Sequence, residues 1–382
     1  MTVPFDVDLG TPKPRRAIRV VVAMSGGVDS STVAALYARS GYDVVGVTLQ
    51  LYDHGKAMER PGACCAGADI HDARRVADVL NIPHYVLDFE ARFRAAVIDD
   101  FVATYLKGET PVPCVRCNQR VKFADLMDVA RDLGADALAT GHYVRRVVRD
   151  DGGVELHRGA EVARDQSYFL FATTRVQLGF LRFPLGGATK DETRALAAAA
   201  GLPVAAKRDS QDICFVPEGG YARLVERLRP EAAEAGDIVD GTGRLLGRHG
   251  GIARFTVGQR HGLGLAGPDP LYVSAIDAAT RRIVVGPRST LGSTRVVARA
   301  VNWLGEGEAP MPGQAVSVKL RSSQAPAPAR VGAFDDGRIE LALDRAVGAI
   351  APGQACVIYD GERVLGGGWI ARPESHAAAL MS

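Results

Sequence analysis

The sequence predicts an α/β unit with a doubly wound parallel sheet, followed by a β-rich region that forms a small barrel or sandwich. Three observations carry this: strand and helix patterns alternate through the first half, a glycine turn follows a buried strand at Ser25–Ser30, and from Leu271 to Arg372 the pattern is almost wholly short strands separated by Gly, Pro and Asp turns. A chain of 382 residues is long enough for two or three domains.

The first strand is the run Ile18-Arg19-Val20-Val21-Val22, and it feeds Ala23-Met24-Ser25-Gly26-Gly27-Val28-Asp29-Ser30-Ser31. Gly26 and Gly27 allow backbone N–H groups to converge on an anion, and Asp29 or Ser30 can cap the helix that follows, with Val33, Leu36 and Tyr37 on one face. A helix N-terminus aimed at the turn adds to its attraction for phosphate. No Lys follows the glycines, which excludes a Walker loop. The string resembles the PP-loop of ATP pyrophosphatases, which split ATP into AMP and pyrophosphate.

Asp43–Leu51 reads as the next strand, Ala68–Leu80 as an amphipathic helix, His84–Leu87 as a short strand, Ala91–Leu106 and Lys122–Leu133 as helices, and Ala137–Thr140 as a strand ending at Gly141-His142. Ligands of such sheets sit beyond the carboxyl ends of the strands, which gathers Ser25–Ser30, Leu49 and Gly141 at one mouth. Gly201-Leu202-Pro203 closes the last helix of this unit. Residues 236–266 read as Gly-rich and irregular, with a turn at Asp240-Gly241-Thr242-Gly243. Strands follow at Ile283–Val285, Ala315–Leu320, Ile339–Leu343 and Ala355–Tyr359.

Net charge is +2, so any basic surface is local: Arg116, Arg120 and Lys122; Arg145 and Arg146; Lys207 and Arg208; Arg260 and His261; Lys319 and Arg321. The first residues lack a hydrophobic signal core and no apolar run spans a membrane, so the expected location is cytoplasmic. Six cysteines in that compartment point to chemistry or metal binding rather than structural disulfides.

Pro111 and Pro113 keep Cys114 and Cys117 on a rigid loop ahead of a helix, and the flanking Arg116 favours the thiolate. Cys214 follows Lys207 and Arg208, a second cationic setting. A zinc knuckle needs a second spaced pair, and Cys64-Cys65 is adjacent, so zinc is not expected. Cys356 reads as a small core residue. A loop that activates ATP at its α-phosphate, with two separated reactive cysteines, suits adenylation of an oxygen followed by attack of sulfur.

The chain contains, in order, the PP-loop string, Thr-Pro-Val-Pro-Cys-Val-Arg-Cys-Asn at 110–118, Ala-Thr-Gly-His-Tyr at 139–143, Asp-Gln-Ser-Tyr-Phe-Leu at 165–170 and Ile-Cys-Phe at 213–215. Thr-Val-Gly-Gln-Arg-His-Gly-Leu-Gly at 256–264 and Leu-Gly-Gly-Gly at 365–368 follow. Together these resemble the tRNA-specific 2-thiouridylases, which thiolate the wobble uridine. The resemblance runs from about Arg19 to Ile370. It implies three parts: a PP-loop catalytic domain at 17–208, a small central domain at 209–280 and a C-terminal β-barrel at 281–374.

It also implies roles. Ala23, Met24, Ser25, Gly26, Gly27, Val28, Asp29, Ser30, Leu49 and Gly141 would bind ATP, with Mg²⁺. Cys117 would be the nucleophile and Cys214 the persulfide carrier, the two forming a disulfide during turnover. Val112, Pro113 and Cys114 match the segment that meets the target base; His142, Arg164, Asp165, Gln166, Arg321, Ser322 and Gln354 match tRNA contacts. A persulfide sulfur-carrier protein or cysteine desulfurase would supply sulfur, and a monomer is compatible with a ligand the size of tRNA. There are departures from the family pattern. Val112 stands where Asn is usual, Arg164 replaces a frequent Lys, Ser322 replaces an aromatic, and Cys114 stands where some members carry Asp. Cys114, Cys117 and Cys214 could alternatively ligate a [4Fe–4S] cluster that carries sulfide. Rival readings are a PP-loop amidating ligase, which would tolerate loss of both cysteines, and a non-catalytic tRNA-binding protein, which would release no pyrophosphate.

Overall fold

The computed structural model describes residues 7–52, 65–209, 213–216, 220–266 and 268–373. They form two compact units, one of residues up to 96 with 114–215, the other of 97–113 with 216 onward.

The first unit is built on five parallel strands. β1 (Arg19–Ala23), β2 (Asp43–Gln50) and β3 (His84–Asp88) run outward to one side, and β4 (Ala137–Ala139) lies on the other side of β1. A hairpin of β5 (Val144–Val148) and β6 (Val154–Arg158) follows, and β7 (Leu181–Arg182) completes the sheet beyond β4. Register is continuous, with Val21 opposite Val45 and Leu138. Val20, Val21, Val22, Leu138 and Ala139 are fully buried, as expected of strands covered on both faces. Strand order reverses between β1 and β4, which opens a crevice at their carboxyl ends. The doubly wound sheet expected from the sequence is therefore present.

Helix α1 (Val28–Arg39) leaves β1 through Gly27 as N-cap, with no side chain capping it. Neither Asp29 nor Ser30 caps, contrary to expectation, because the helix starts one residue before Asp29 and both side chains are used elsewhere. α2 (Cys65–Leu80) packs on the same sheet; Cys64 lies outside the described residues.

The largest departure from the sequence reading is at Pro113. The chain is already helical there: α3 (Pro113–Arg116) runs into a π-helical stretch, Cys117–Asp125, and then α4 (Leu126–Asp132). Proline is tolerated in the first helical turn, where its missing N–H has no intrahelical partner, so Pro113 starts this helix rather than forbidding it. Cys114 and Cys117 are thus on a helix. The unit ends with α5 (Lys190–Ala199), held by a capping box in which the Thr189 side chain accepts from the Glu192 N–H and Glu192 reaches back to Thr189.

In the second unit, β8 (Gly236–Asp240), β9 (Leu245–His249), β10 (Tyr272–Asp277) and β11 (Arg282–Gly286) form a sheet in the order β10-β11-β8-β9, parallel only at β11–β8. The stretch read as irregular thus holds two strands. The expected turn joins them: Asp240 Oδ1 accepts from the N–H groups of Thr242 and Arg244. Six antiparallel strands follow: β12 (Gly292–Trp303), β13 (Ala315–Lys319), β14 (Ala327–Asp335), β15 (Arg338–Gly348), β16 (Ala355–Asp360) and β17 (Arg363–Ile370). β12 pairs with both β15 and β17, which closes a barrel. Its core includes Val318, Ile339, Leu341, Ile358 and, as expected, Cys356. Among the described residues no helix is long and apolar enough to cross a membrane.

Candidate active site

The turn after β1 is held by its own side chains. Ser25 N donates to Ser30 Oγ at 3.1 Å, and Ser30 Oγ lies 3.3 Å from the Gly27 carbonyl oxygen, to which it donates. Gly26 has φ +74°, and a Cβ there would lie 2.1 Å from the Asp69 carbonyl oxygen. Gly141, at the end of β4, packs so closely that a Cβ would lie 2.9 Å from Ser30 N. Both glycines allow backbones to approach where the strand order reverses. Below them, Met24 is buried and its carbonyl accepts from Thr48 Oγ1 at 2.7 Å, tying β1 to β2. Gly26→Ala is expected to cost roughly 1–3 kcal/mol in backbone strain alone, and more because the opposing group is backbone; the measurement is the urea midpoint together with ATP affinity.

A cavity of about 480 Å³ opens beside this turn. Of the residues selected from sequence, Ser25, Gly27, Val28, Asp29, Leu49, Arg164, Gln166 and Cys214 line it. Thr48, Gln50, Tyr52, Lys122, Tyr143, Lys190, Lys207 and Asp209 line it as well.

Its charges are paired. Lys190 is buried, and its Nζ lies 2.7 and 2.9 Å from the two Asp29 oxygens and 2.7 Å from Asp209 Oδ1. Tyr143 donates to Asp29 at 2.9 Å. Arg164 reaches Asp209 at 2.9 Å. Burial alone would raise the Asp209 carboxyl, but Lys190, Arg164 and Arg194 outweigh it and hold the group below the usual range. Lys207 lies 2.7 Å from both Asp69 and Asp72 and donates to the Gly26 carbonyl at 3.0 Å, fastening α2 to the turn.

The cysteines correct a second expectation. Burial pushes all three thiols up, Cys214 to about 12, although the Cys114 and Cys214 residues keep exposed surface while Cys117 is buried. Cys114 raises Cys117, and both raise Cys214, because negative charge on one sulfur opposes charge on the next. The cation that counteracts this at each thiol is Lys122. Arg116 donates to Gln119, and Lys207 is engaged with Asp69 and Asp72. Residues five apart lie about 140° apart around an α-helix, whereas the i→i+5 bonding of a π-helix stacks them. The π-stretch from Cys117 thus brings Lys122 to the cysteine side. A hydrogen bond from Tyr52 favours the Cys214 thiolate, and Tyr52, Phe93 and Phe215 form an aromatic chain beside it, with centroids 6.1 and 5.7 Å apart. Among the described residues no three Cys, His, Asp or Glu side chains are arranged to hold a metal ion.

The positions matched to tRNA contacts divide. The His142 ring packs edge-on against Phe123 and Phe183, with Nδ1 2.7 Å from Thr140 Oγ1. Burial, with Lys122 nearby, pushes its pKa down to about 3. A His that is neutral in the folded state and protonated when unfolded removes stability as pH falls below about 6.5. His142→Gln is therefore expected to flatten the decline in stability between pH 6.5 and 4, read from urea midpoints. Asp165 is spent within its own loop, accepting from Gly159 N, Ser167 N and Ser167 Oγ, while Gln166 Oε1 accepts from Tyr143 N. This pair shapes the segment that presents Arg164.

Val112, Pro113, Arg321, Ser322 and Gln354 belong to the second unit. Val112 is buried, and the Gln354 amide donates to the carbonyls of Thr110 and Pro111. The Arg321 guanidinium is held by the Ala349 carbonyl, and Ser322 is exposed.

Sequence reasoning missed Lys190, Tyr143, Asp209 and Tyr52. Lys190 carried a signal: a Lys in the first helical position, after a Thr-Lys-Asp-Glu capping box, opposes the helix dipole unless acids face it. Tyr143 closed the string Ala-Thr-Gly-His-Tyr at 139–143, a signal that was passed over, and Asp209 and Tyr52 carried none.

Residues 18–218 match the family described as the tRNA methyl transferase HUP domain, 224–287 its PRC-barrel domain and 293–370 the aminomethyltransferase β-barrel domain. The tRNA-specific 2-thiouridylase MnmA of Rhodospirillum centenum is 61% identical over 379 residues, covering 97% of this chain and 96% of that one. The protein of the same name from Hyphomonas neptunium is 57% identical over 96% of this chain and 94% of its own. That from Paramagnetospirillum magneticum is 60% identical over 96% and 98%. With three matched segments spanning nearly its whole length and relatives of that name about 60% identical, the chain belongs to the tRNA-specific 2-thiouridylase family.

Proposed function

We propose that this chain catalyses ATP-dependent 2-thiolation of the wobble uridine, position 34, of tRNA, releasing AMP and pyrophosphate. The observation that carries the reading is the cavity in which Ser25, Gly27 and Asp29 of the PP-loop face Cys214. An activating turn and a sulfur carrier share one space, as a reaction that adenylates an oxygen and then replaces it requires.

In this reading the turn from Ser25 to Ser30 takes the pyrophosphate end of ATP, its N–H groups and the start of α1 supplying the positive field. The chain's carboxylates at the cavity are engaged, Asp29 and Asp209 by Lys190 and Asp69 by Lys207, so Mg²⁺ enters with the nucleotide, with Asp29 the carboxylate within the turn. A wobble base is already unpaired, which lowers the cost of drawing it out of its stack. Its 2-oxo oxygen attacks the α-phosphorus, and pyrophosphate leaves. The outer sulfur of a persulfide on Cys214 attacks the ring carbon, and AMP leaves. Cys117 attacks the Cys214 sulfur, freeing the thiolated base and closing a Cys117–Cys214 disulfide that a reductant reopens. The persulfide comes from a sulfur-carrier protein or a cysteine desulfurase. Lys122 faces both sulfurs and favours whichever carries negative charge.

The test is 2-thiouridine formation on unmodified tRNA with ATP and a competent persulfide donor, with pyrophosphate measured in parallel. One pyrophosphate per thiouridine is expected. Pyrophosphate release with nitrogen incorporated, insensitive to loss of both cysteines, would instead identify an amidating ligase.

A further inference from the structure

We infer that Cys114 is a resolving thiol: it takes the Cys117 sulfur from a Cys117–Cys214 disulfide, so that the oxidised chain rests as a Cys114–Cys117 pair and Cys214 is free to be reloaded. This rests on the thiolation reading above and extends it to the return half of the cycle.

Position favours the exchange. Cys114 and Cys117 stand three apart on one helix, across α3 and the start of the π-stretch. Side chains so spaced have Cβ atoms about 5–6 Å apart, and a disulfide needs about 3.5–4.5 Å. Cys114 is the second residue of its helix, where the N–H has no partner in the helical ladder. The third sulfur senses the other two, since negative charge on Cys114 or Cys117 opposes charge on Cys214.

Exposure gives the exchange a direction. Cys117 is buried, and Cys214 lines the cavity that holds the proposed substrates. Cys114 is exposed and is not among the cavity's lining residues. A disulfide on Cys114 is therefore presented to a reductant outside the substrate cavity, and access governs the rate of exchange. Lys122 acts on all three sulfurs and so stabilises the thiolate that attacks and the one that leaves.

The steps balance. Sulfur transfer reduces the sulfane sulfur on Cys214 by two electrons and oxidises Cys117 and Cys214 to a disulfide. The Cys114 thiolate then attacks Cys117 Sγ: the Cys114–Cys117 bond forms, the Cys117–Cys214 bond breaks, and Cys214 leaves as thiolate with no net oxidation. An external dithiol reduces the new pair and becomes a cyclic disulfide.

The test needs neither ATP, tRNA nor sulfur donor, so its failure is separable from failure of the thiolation reading. The metal-free full chain is equilibrated in oxidised and reduced dithiothreitol, quenched in acid, blocked with N-ethylmaleimide, and its linked peptides are mapped by mass spectrometry. The Cys114–Cys117 pair is expected about tenfold or more over Cys117–Cys214, with Cys214 blocked. Cys114→Ser and Cys114→Ala, checked for folding by circular dichroism, should both shift the pair to Cys117–Cys214. A wild-type chain that rests as Cys117–Cys214, or that links none of the three, would overturn the inference.

Discussion

Cys214→Ser is expected to lower 2-thiouridine formation by about 10³-fold or more, the scale of loss when a covalent nucleophile is removed, while first-turnover pyrophosphate release from ATP and tRNA stays within a few-fold of wild type. The asymmetry follows from the proposed order of events, in which adenylation uses the turn at Ser25–Ser30 and sulfur enters afterwards. Serine keeps the shape and loses the sulfur. Because Cys214 lies at an exposed edge of the cavity, the exchange leaves no packing defect to confuse the readout. Cys117→Ser should differ in kind, trapping tRNA joined to Cys214 through a disulfide that dithiothreitol releases. Equal loss of pyrophosphate release in Cys214→Ser would mean that the thiol acts before or during adenylation.

Lys190→Met should be the most damaging charge substitution in the first unit. It leaves Asp29 and Asp209 facing each other without their shared cation, and breaking a buried pair by removing one partner costs about 3–5 kcal/mol. Asp29 keeps roughly a third of its side-chain surface, which places the cost near the lower end of that range. The pH dependence provides a control. Asp209 is held below the ordinary carboxylate range, so its stabilisation is present at neutral pH and is lost as pH falls below about 4 through its folded value. In Lys190→Met that acid-side loss should shrink in part, since the strongest of the three cations that depress the carboxyl is gone while Arg164 and Arg194 remain, and the deficit relative to wild type should narrow as pH drops. Urea midpoints from pH 3 to 7 measure both effects. ATP binding should fail in parallel, because Asp29 belongs to the turn proposed to take the phosphates.

How much of this was legible beforehand varies with the range of the interaction. β-branched runs and helical periodicity located β1 to β4 and three of the six barrel strands, β13, β15 and β16, because both patterns are local. The glycine turn after β1 was legible for the same reason: its glycines, serines and aspartate are consecutive. The helix through the cysteines was not. Two prolines read as a barrier, and only the observed chain direction shows Pro113 in the first turn, where its missing N–H costs nothing. The π-stretch after it leaves no mark in composition. The thiols were read as activated from the basic residues beside them in sequence, but Arg116 and Lys207 are committed to other partners and burial sets the direction of the shift. Lys190 and Tyr143, 161 and 114 residues from Asp29, meet it only once the sheet has formed.

The account stands or falls on whether one cavity activates ATP and delivers sulfur through cysteine. The most direct measurement is 2-thiouridine formation by anaerobically prepared, metal-free protein given unmodified tRNA, ATP and a persulfide donor shown to be competent on its own, beside a sample reconstituted with iron and sulfide. Thiouridine from the metal-free sample, equimolar with pyrophosphate, abolished by Cys214→Ser and held on Cys214 by Cys117→Ser until dithiothreitol is added, is the predicted result. Thiouridine only after reconstitution, or none from either sample, would contradict it.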